Sequence, residues 1–183
     1  NQAGGAMAQT FNTHHNDYDI DMVLRISLEL EHKMLMVGGY NRIYEIGKNF
    51  RNEGSDPTHI QEFTMIEWYA AFATLEDNMD WTEKMIKHLP KEIVGKTEFI
   101  VWDKEGKEIQ VNLDGVWPRV RFSELLQKHA SIDMATATRE DVERVAQEHG
   151  MTRDDASKTS HANLLDFIYK KTARPTLVQP TFV

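Results

Sequence analysis

An arginine, a glutamate, a histidine and an aromatic ring fall within one short stretch of this chain. Phe50-Arg51-Asn52-Glu53-Gly54 is followed, after a polar loop, by His59-Ile60-Gln61-Glu62-Phe63-Thr64-Met65. An arginine at a strand end can project its planar fork to meet a phosphate or a carboxylate through two parallel hydrogen bonds. With a histidine and a flat aromatic nearby, it makes a set suited to handling a nucleotide. The plainer alternative pairs Arg51 with Glu53 or Glu62, leaves Glu53 and His59 solvated in the loop, and puts Phe63 in the core. Glu67 and Tyr69 then stand two residues apart in an otherwise apolar segment, so they share a strand face with Phe63. A carboxylate on such a face needs water, a partner or a ligand. Either the face is open to solvent, or its carboxylate, phenol and aromatic ring receive an ammonium group.

The elements that must position these side chains follow from periodicity. Residues 41–51 alternate with period 2: Tyr44, Ile46 and Phe50 share one face, and Glu45, Asn49 and Arg51 share the other. Residues 62–72 alternate likewise, with Thr64, Ile66, Trp68 and Phe72 opposed to Phe63, Met65, Glu67 and Tyr69. Two such runs make a hairpin whose loop exceeds the usual length of roughly 2–5 residues, as ligand-binding loops often do. Arg51 is expected to project over an open sheet face. Upstream, Ser27 reads as the N-cap of a helix over 28–37, closed by Gly38-Gly39. Downstream, Asp80-Trp81-Thr82-Glu83 reads as a capping box opening a helix that Pro90 interrupts. A small hairpin is expected over 98–102 and 108–113, turning at Asp103-Lys104-Glu105-Gly106. Helices follow over 123–129, over 139–149 (capped by Thr138 and closed by Gly150) and over 161–171, then a terminal strand from Leu177. Mixed strands and helices without regular βαβ alternation predict an α+β fold, an antiparallel β-sheet with flanking helices.

Composition narrows the class. The chain has 183 residues, 40% hydrophobic and 27% charged, the size of one domain or slightly more, with enough apolar surface for a core. It has no cysteine, which excludes disulfides and thiolate zinc sites and fits a cytoplasmic setting. No apolar run approaches the roughly 20 residues that span a bilayer, so no membrane partner is expected. A formal net charge of −8 disfavours non-specific nucleic-acid binding, and DNA is not an expected partner. The chain opens without methionine and closes on Thr181-Phe182-Val183, an apolar run, so it is expected to be a piece of a longer protein.

Order and spacing make the reading specific. Gly4-Gly5-Ala6, Phe11-Asn12-Thr13-His14-His15-Asn16, Leu24-Arg25-Ile26, Glu29-Leu30, Val37-Gly38-Gly39 and Ile43-Tyr44-Glu45-Ile46 precede Phe50-Arg51-Asn52-Glu53-Gly54. This series resembles the class II lysyl-tRNA synthetases, with the hairpin as their motif 2. Leu177-Val178-Gln179-Pro180-Thr181-Phe182-Val183 continues the resemblance, which is strong over 1–75 and 160–183 and weaker between. Gly4-Gly5-Ala6 with His14-His15-Asn16 favours the lysine enzymes over the aspartate and asparagine ones.

The resemblance implies a partial catalytic domain, with a core over 1–79 and 160–183 and a helical and hairpin segment over 80–159. It implies ATP-dependent formation of lysyl-adenylate, then transfer of the lysyl group to tRNA(Lys). Arg51 would bridge the lysine carboxylate and the α-phosphate. Glu53 would contact the adenine side of ATP, His59 its terminal phosphate and Phe63 its ring, with Ile60 offering backbone groups. Gly5 would line the lysine pocket, Glu29 would hold the α-amino group, and Glu67 and Tyr69 would face the ε-ammonium. Glu29 also reads as an ordinary first-turn glutamate favouring its helix dipole. The full-length parent is expected to be a cytoplasmic homodimer using Mg2+, whose ligands belong to a C-terminal part outside this chain.

Three features depart from the family pattern. Ile60-Gln61 stands where Asn-Pro is commoner, Ala3 where a proline is usual, and motifs 1 and 3 and the anticodon-binding domain are absent, so the fragment alone is expected to be inactive. Two rivals share the pattern: a paralogue that lysylates a protein, and a non-catalytic binding module on the same fold. Other signals are weaker. Asp17-Tyr18-Asp19-Ile20-Asp21 imitates a calcium loop, but Met22 occupies its glycine slot and Leu28 its terminal glutamate slot. Adjacent His14-His15 lack zinc-ligand spacing, so no metal ligand is assigned within this chain.

Overall fold

Nine-residue strands form where the period-2 runs predict them. In the computed structural model, which describes residues 4–56, 59–103 and 105–183, the chain falls into two compact units, 1–74 and 75–183. Ala3 and Lys104, named above, lie outside the described residues. The first unit opens with a hairpin not foreseen from the sequence, β1 (Asn12–His15) against β2 (Ile20–Val23). It is short and exposed, and Asp19 takes a left-handed φ of 50° at its turn. The calcium-like residues thus form a hairpin tip, where the His14 ring meets Asp21 at 3.0 Å.

Helix α1 (Glu29–Val37) comes next, starting one residue later than expected. Its N-cap is Leu28; the Ser27 hydroxyl instead accepts from the Glu29 amide at 3.1 Å. Strands β3 (Arg42–Phe50) and β4 (Glu62–Ala70) then pair antiparallel without a bulge, from Arg42↔Ala70 to Phe50↔Glu62.

The two faces of this ribbon reverse the ordinary apolar-in pattern. Tyr44, Ile46 and Ile66 are exposed, whereas Glu45, Asn49, Phe63, Met65, Glu67 and Tyr69 lie on the more buried face. The expected open face therefore holds only in part: α1 covers its middle through His32, which meets Glu45 and Tyr69. Arg25 explains why a carboxylate can sit there. Its guanidinium donates to Glu45 Oε1 at 2.6 Å and to the Lys48 carbonyl at 2.8 Å. It occupies the space a Cβ would need at Gly47, so a larger residue there would have to displace this guanidinium.

The second unit begins with α2 (Leu75–Val94), which starts five residues before the expected capping box and runs through Pro90. The Thr82 hydroxyl donates back to the Asn78 carbonyl at 2.7 Å, a bond made inside a helix rather than at its cap. Lys87–Glu83 pairing precedes the proline and the His88–Glu92 contact spans it, supporting the turn that lacks the proline N–H.

β5 (Glu98–Trp102) and β6 (Glu108–Asn112) pair as expected, and the Asp103 carboxylate accepts from the Glu105 and Lys107 amides at the turn. Helices α3 (Phe122–Ala130), α4 (Arg139–Glu148), α5 (Arg153–Lys158) and α6 (His161–Thr172) follow. Of these, α5 was not expected, and α3 begins without a side-chain cap. Thr138 and Asp141 form a full capping box on α4, in agreement with the sequence.

The core of this unit includes Leu126, Ile132, Val142, Ala146, Leu164 and Ile168, with Phe122, Phe167 and Tyr169 packed against it. Ile168 is fully buried in it, so Ile168→Val should cost about 1 kcal/mol, read as a lower urea midpoint.

The terminal strand expected from Leu177 is not formed. Residues 174–176 make a tight 3-10 turn, and only Phe182 pairs, through one parallel bridge to Arg119. Pro175 and Pro180 carry no N–H for a ladder, and the Thr176, Leu177 and Val178 amides are used locally. The class is α+β, as expected, with its antiparallel pairing divided among three two-stranded sheets in the described residues. None of the helices described is long and apolar enough to cross a membrane.

Candidate active site

Arg51 follows the last residue of β3, where its amide bonds to the Gln61 carbonyl at 2.9 Å and keeps the hairpin closed past its ladder. Its Nε donates to the Ile26 carbonyl at 3.3 Å, and its guanidinium carbon lies 5.2 Å from the centre of the Phe63 ring. Among the described residues it forms no ion pair. Glu62, one of its two plainer partners, is paired with Lys48 at 2.6 Å. The guanidinium is thus oriented by a carbonyl and a ring, with its charge left for something else.

Arg51, Glu53, Gly54, His59, Ile60, Gln61 and Phe63 line one cleft of about 290 Å³. The structure therefore brings together the five residues expected to hold ATP. Gln61 orders the loop that carries them, donating from Nε2 to the Glu53 carbonyl at 2.9 Å and to the Ser55 hydroxyl at 2.5 Å. The His59 ring meets Asp56 at 2.6 Å, and the two residues also exchange backbone hydrogen bonds, so the imidazole is oriented rather than loose. Ile60 is exposed, so its side chain contributes little packing and its backbone is accessible from the loop.

Of the remaining expected residues, Glu29 opens α1, Gly5 lies beside it, and Glu67 and Tyr69 share the shielded face of β4. The Tyr69 hydroxyl donates to Glu67 Oε1 at 2.7 Å. Burial pushes that hydroxyl well above the ordinary phenol range; its bond to Glu67 and the negative charges of Glu67 and Glu29 push it further. Tyr69 therefore stays protonated and donates, and the Glu67 carboxylate keeps a second oxygen for another donor. The sign suits a cation, since a fixed phenol–carboxylate pair presents negative charge with no strong positive partner in that bond.

Glu29 is paired with Lys33 one turn on, so the helix-surface role also holds for it. It is equally the closest neighbour of Gly5. A Cβ on Gly5 would lie 2.6 Å from Glu29 Cβ and 2.7 Å from the Ser27 hydroxyl, and the Gly5 φ of 85° already favours glycine. Gly5→Ala should accordingly displace Glu29 and cost about 1 kcal/mol or more, read as a lower urea midpoint.

Three residues were not singled out for this site from the sequence. His32 is buried between Glu45 and Tyr69. Asn49 is fully buried, and both polar atoms of its amide lack a partner in the described residues. Arg25 ties Glu45 to the β3 backbone. Their signal was present in principle: Glu45 and Asn49 alternate with apolar neighbours, which marks an inward polar face as readily as an outward one. No group of three or more histidine or acidic side chains converges for a metal among the described residues.

A sequence model of the family described as tRNA synthetases class II (D, K and N) matches residues 1–180. A protein named lysine–tRNA ligase from Lactococcus lactis subsp. cremoris (strain MG1363) is 43% identical over 184 residues, covering 100% of this chain. Proteins of the same name from Clostridium acetobutylicum and Staphylococcus saprophyticus are 40% and 39% identical over 99% of it. The chain spans only about 36% of the length of the curated relatives it matches.

Proposed function

Because this chain belongs to the class II tRNA synthetases of the D, K and N group, we propose that it carries the motif 2 portion of a lysine-activating site. The full-length protein would join lysine to ATP as lysyl-adenylate, releasing pyrophosphate, and then pass the lysyl group to tRNA(Lys). The observation that carries this reading is Arg51, an oriented guanidinium without a carboxylate partner among the described residues, in a cleft lined by Glu53, His59, Ile60 and Phe63.

No protein nucleophile is needed. The lysine carboxylate attacks the α-phosphate, and catalysis consists of aligning the two and stabilising the charge that builds between them. Arg51 would contact both reacting groups. Phe63 would stack on adenine, with Glu53 and the Ile60 backbone at its edge and His59 at the terminal phosphate. Gly5 and Glu29 would receive the α-amino end of lysine, and Glu67 with Tyr69 its ε-ammonium.

The magnesium expected with ATP has no donor set among the described residues, and no step is routed through it. The setting proposed is a cytoplasmic homodimer. The test is ATP–pyrophosphate exchange by the full-length protein. Lysine should drive exchange and aspartate and asparagine should not; exchange driven by either of those instead would overturn the substrate.

A further inference from the structure

We infer that His32 is a positioning residue of the cation pocket, and that its protonation opposes capture of the substrate ammonium. The inference rests on the lysine-pocket reading given above. His32 is only 2% exposed. Its ring meets that of Tyr69 edge-on, with centroids 5.5 Å apart and planes at 80°. Tyr69 in turn holds Glu67 through the 2.7 Å hydrogen bond. The imidazole therefore packs against the phenol that holds Glu67.

Its own polar atoms are poorly matched. Nε2 faces Glu45 Oε2 at 3.5 Å, longer than a good hydrogen bond, while Glu45 Oε1 is taken by Arg25 at 2.6 Å. Nδ1 is buried with no partner in the described residues. An ionised carboxylate only accepts, so the Glu45 contact needs the proton on Nε2 and leaves Nδ1 as a bare lone pair. A second proton would turn Nδ1 into a buried donor without an acceptor and would place a cation behind Tyr69.

The ring meets Glu45 on β3, whose partner is Arg25, and Tyr69 on β4, which holds Glu67; Glu29 and Lys33 lie within one turn of it along α1. Arg25 already offsets Glu45, and Lys33 already offsets Glu29. The negative charge left for a newcomer is Glu67, which the proposed substrate also requires. A proton on His32 and an ammonium at Glu67–Tyr69 thus compete for the same field. Linkage makes this competition mutual: whatever factor protonation takes from lysine affinity, bound lysine takes from protonation.

The test is calorimetric lysine binding to the full-length protein without ATP, from pH 7.5 to 5.5, for the wild type, His32→Leu and His32→Gln. Far-ultraviolet circular dichroism at each pH shows which proteins are folded. The expected result is that the wild-type Kd rises about tenfold across the range, while a folded variant stays within about twofold of its own value at pH 7.5. Either variant suffices if the other does not fold. Equal pH dependence in wild type and variant, or a flat wild-type profile, overturns the role of His32 alone. Absence of lysine binding by the wild type at every pH overturns the lysine pocket and this inference with it.

Discussion

Arg51→Ala in the full-length protein is expected to slow lysine-dependent pyrophosphate exchange by about 10²-fold or more, the scale of losing one preorganised charge stabiliser. The size follows from how the side chain is held. A guanidinium fixed to the Ile26 carbonyl and laid against Phe63 needs little reorganisation when charge develops beside it. It makes no ion pair among the described residues, so alanine removes charge from the cleft without stranding a buried carboxylate. The loss should therefore appear in rate far more than in unfolding temperature. Arg51→Lys should recover only part of the rate, because an ammonium keeps the charge but not the planar fork that can meet two groups at once. An unchanged exchange rate in Arg51→Ala would refute the assignment.

Glu67→Gln should raise the lysine KM about 10- to 100-fold, the scale of one hydrogen bond to a charged group, with the ATP KM moving less than about twofold. Glutamine keeps the shape and can still accept from the Tyr69 hydroxyl, so the substitution removes charge and little else. One of the influences that raise the Tyr69 hydroxyl would go with it. Equal losses for lysine and ATP would mean that Glu67 supports the strand rather than the substrate. No loss would place the ammonium elsewhere.

The hairpin that carries both residues was legible because alternation and turn chemistry agree along it. Arg42–Phe50 and Glu62–Ala70 form within a residue or two of the expected limits, and Arg51, Glu53, His59, Ile60 and Phe63, which the family resemblance grouped, line one cleft. Which face is shielded was harder to read. Alternation shows that Glu45, Asn49, Glu67 and Tyr69 share a side, but not that α1 covers it, since that depends on contacts among α1, β3 and β4. His32 escaped notice for the same reason, as one polar residue in a helix carries no local mark of burial.

Elsewhere local signals misled. Thr82 and Glu83 imitate a helix start while lying inside α2, and Pro90 is tolerated in a helix braced by side-chain pairs. The β-rich tail from Leu177 does not become a strand because its prolines leave no continuous ladder and its amides are already engaged. The β1–β2 hairpin was too short and too exposed for alternation to register.

Gln61 ties the Glu53 carbonyl and the Ser55 hydroxyl to the start of β4, at a position where the family resemblance led to the expectation of a proline. A proline narrows a loop's conformations covalently, at every temperature and mainly by restricting the unfolded chain. Gln61 narrows them through two hydrogen bonds at the protein surface, which exchange with water and loosen on warming. Order in this loop is therefore enthalpic where a proline would make it entropic. The grip of Glu53 and His59 on a nucleotide should accordingly be tuned by temperature more steeply than a proline-stiffened loop would allow.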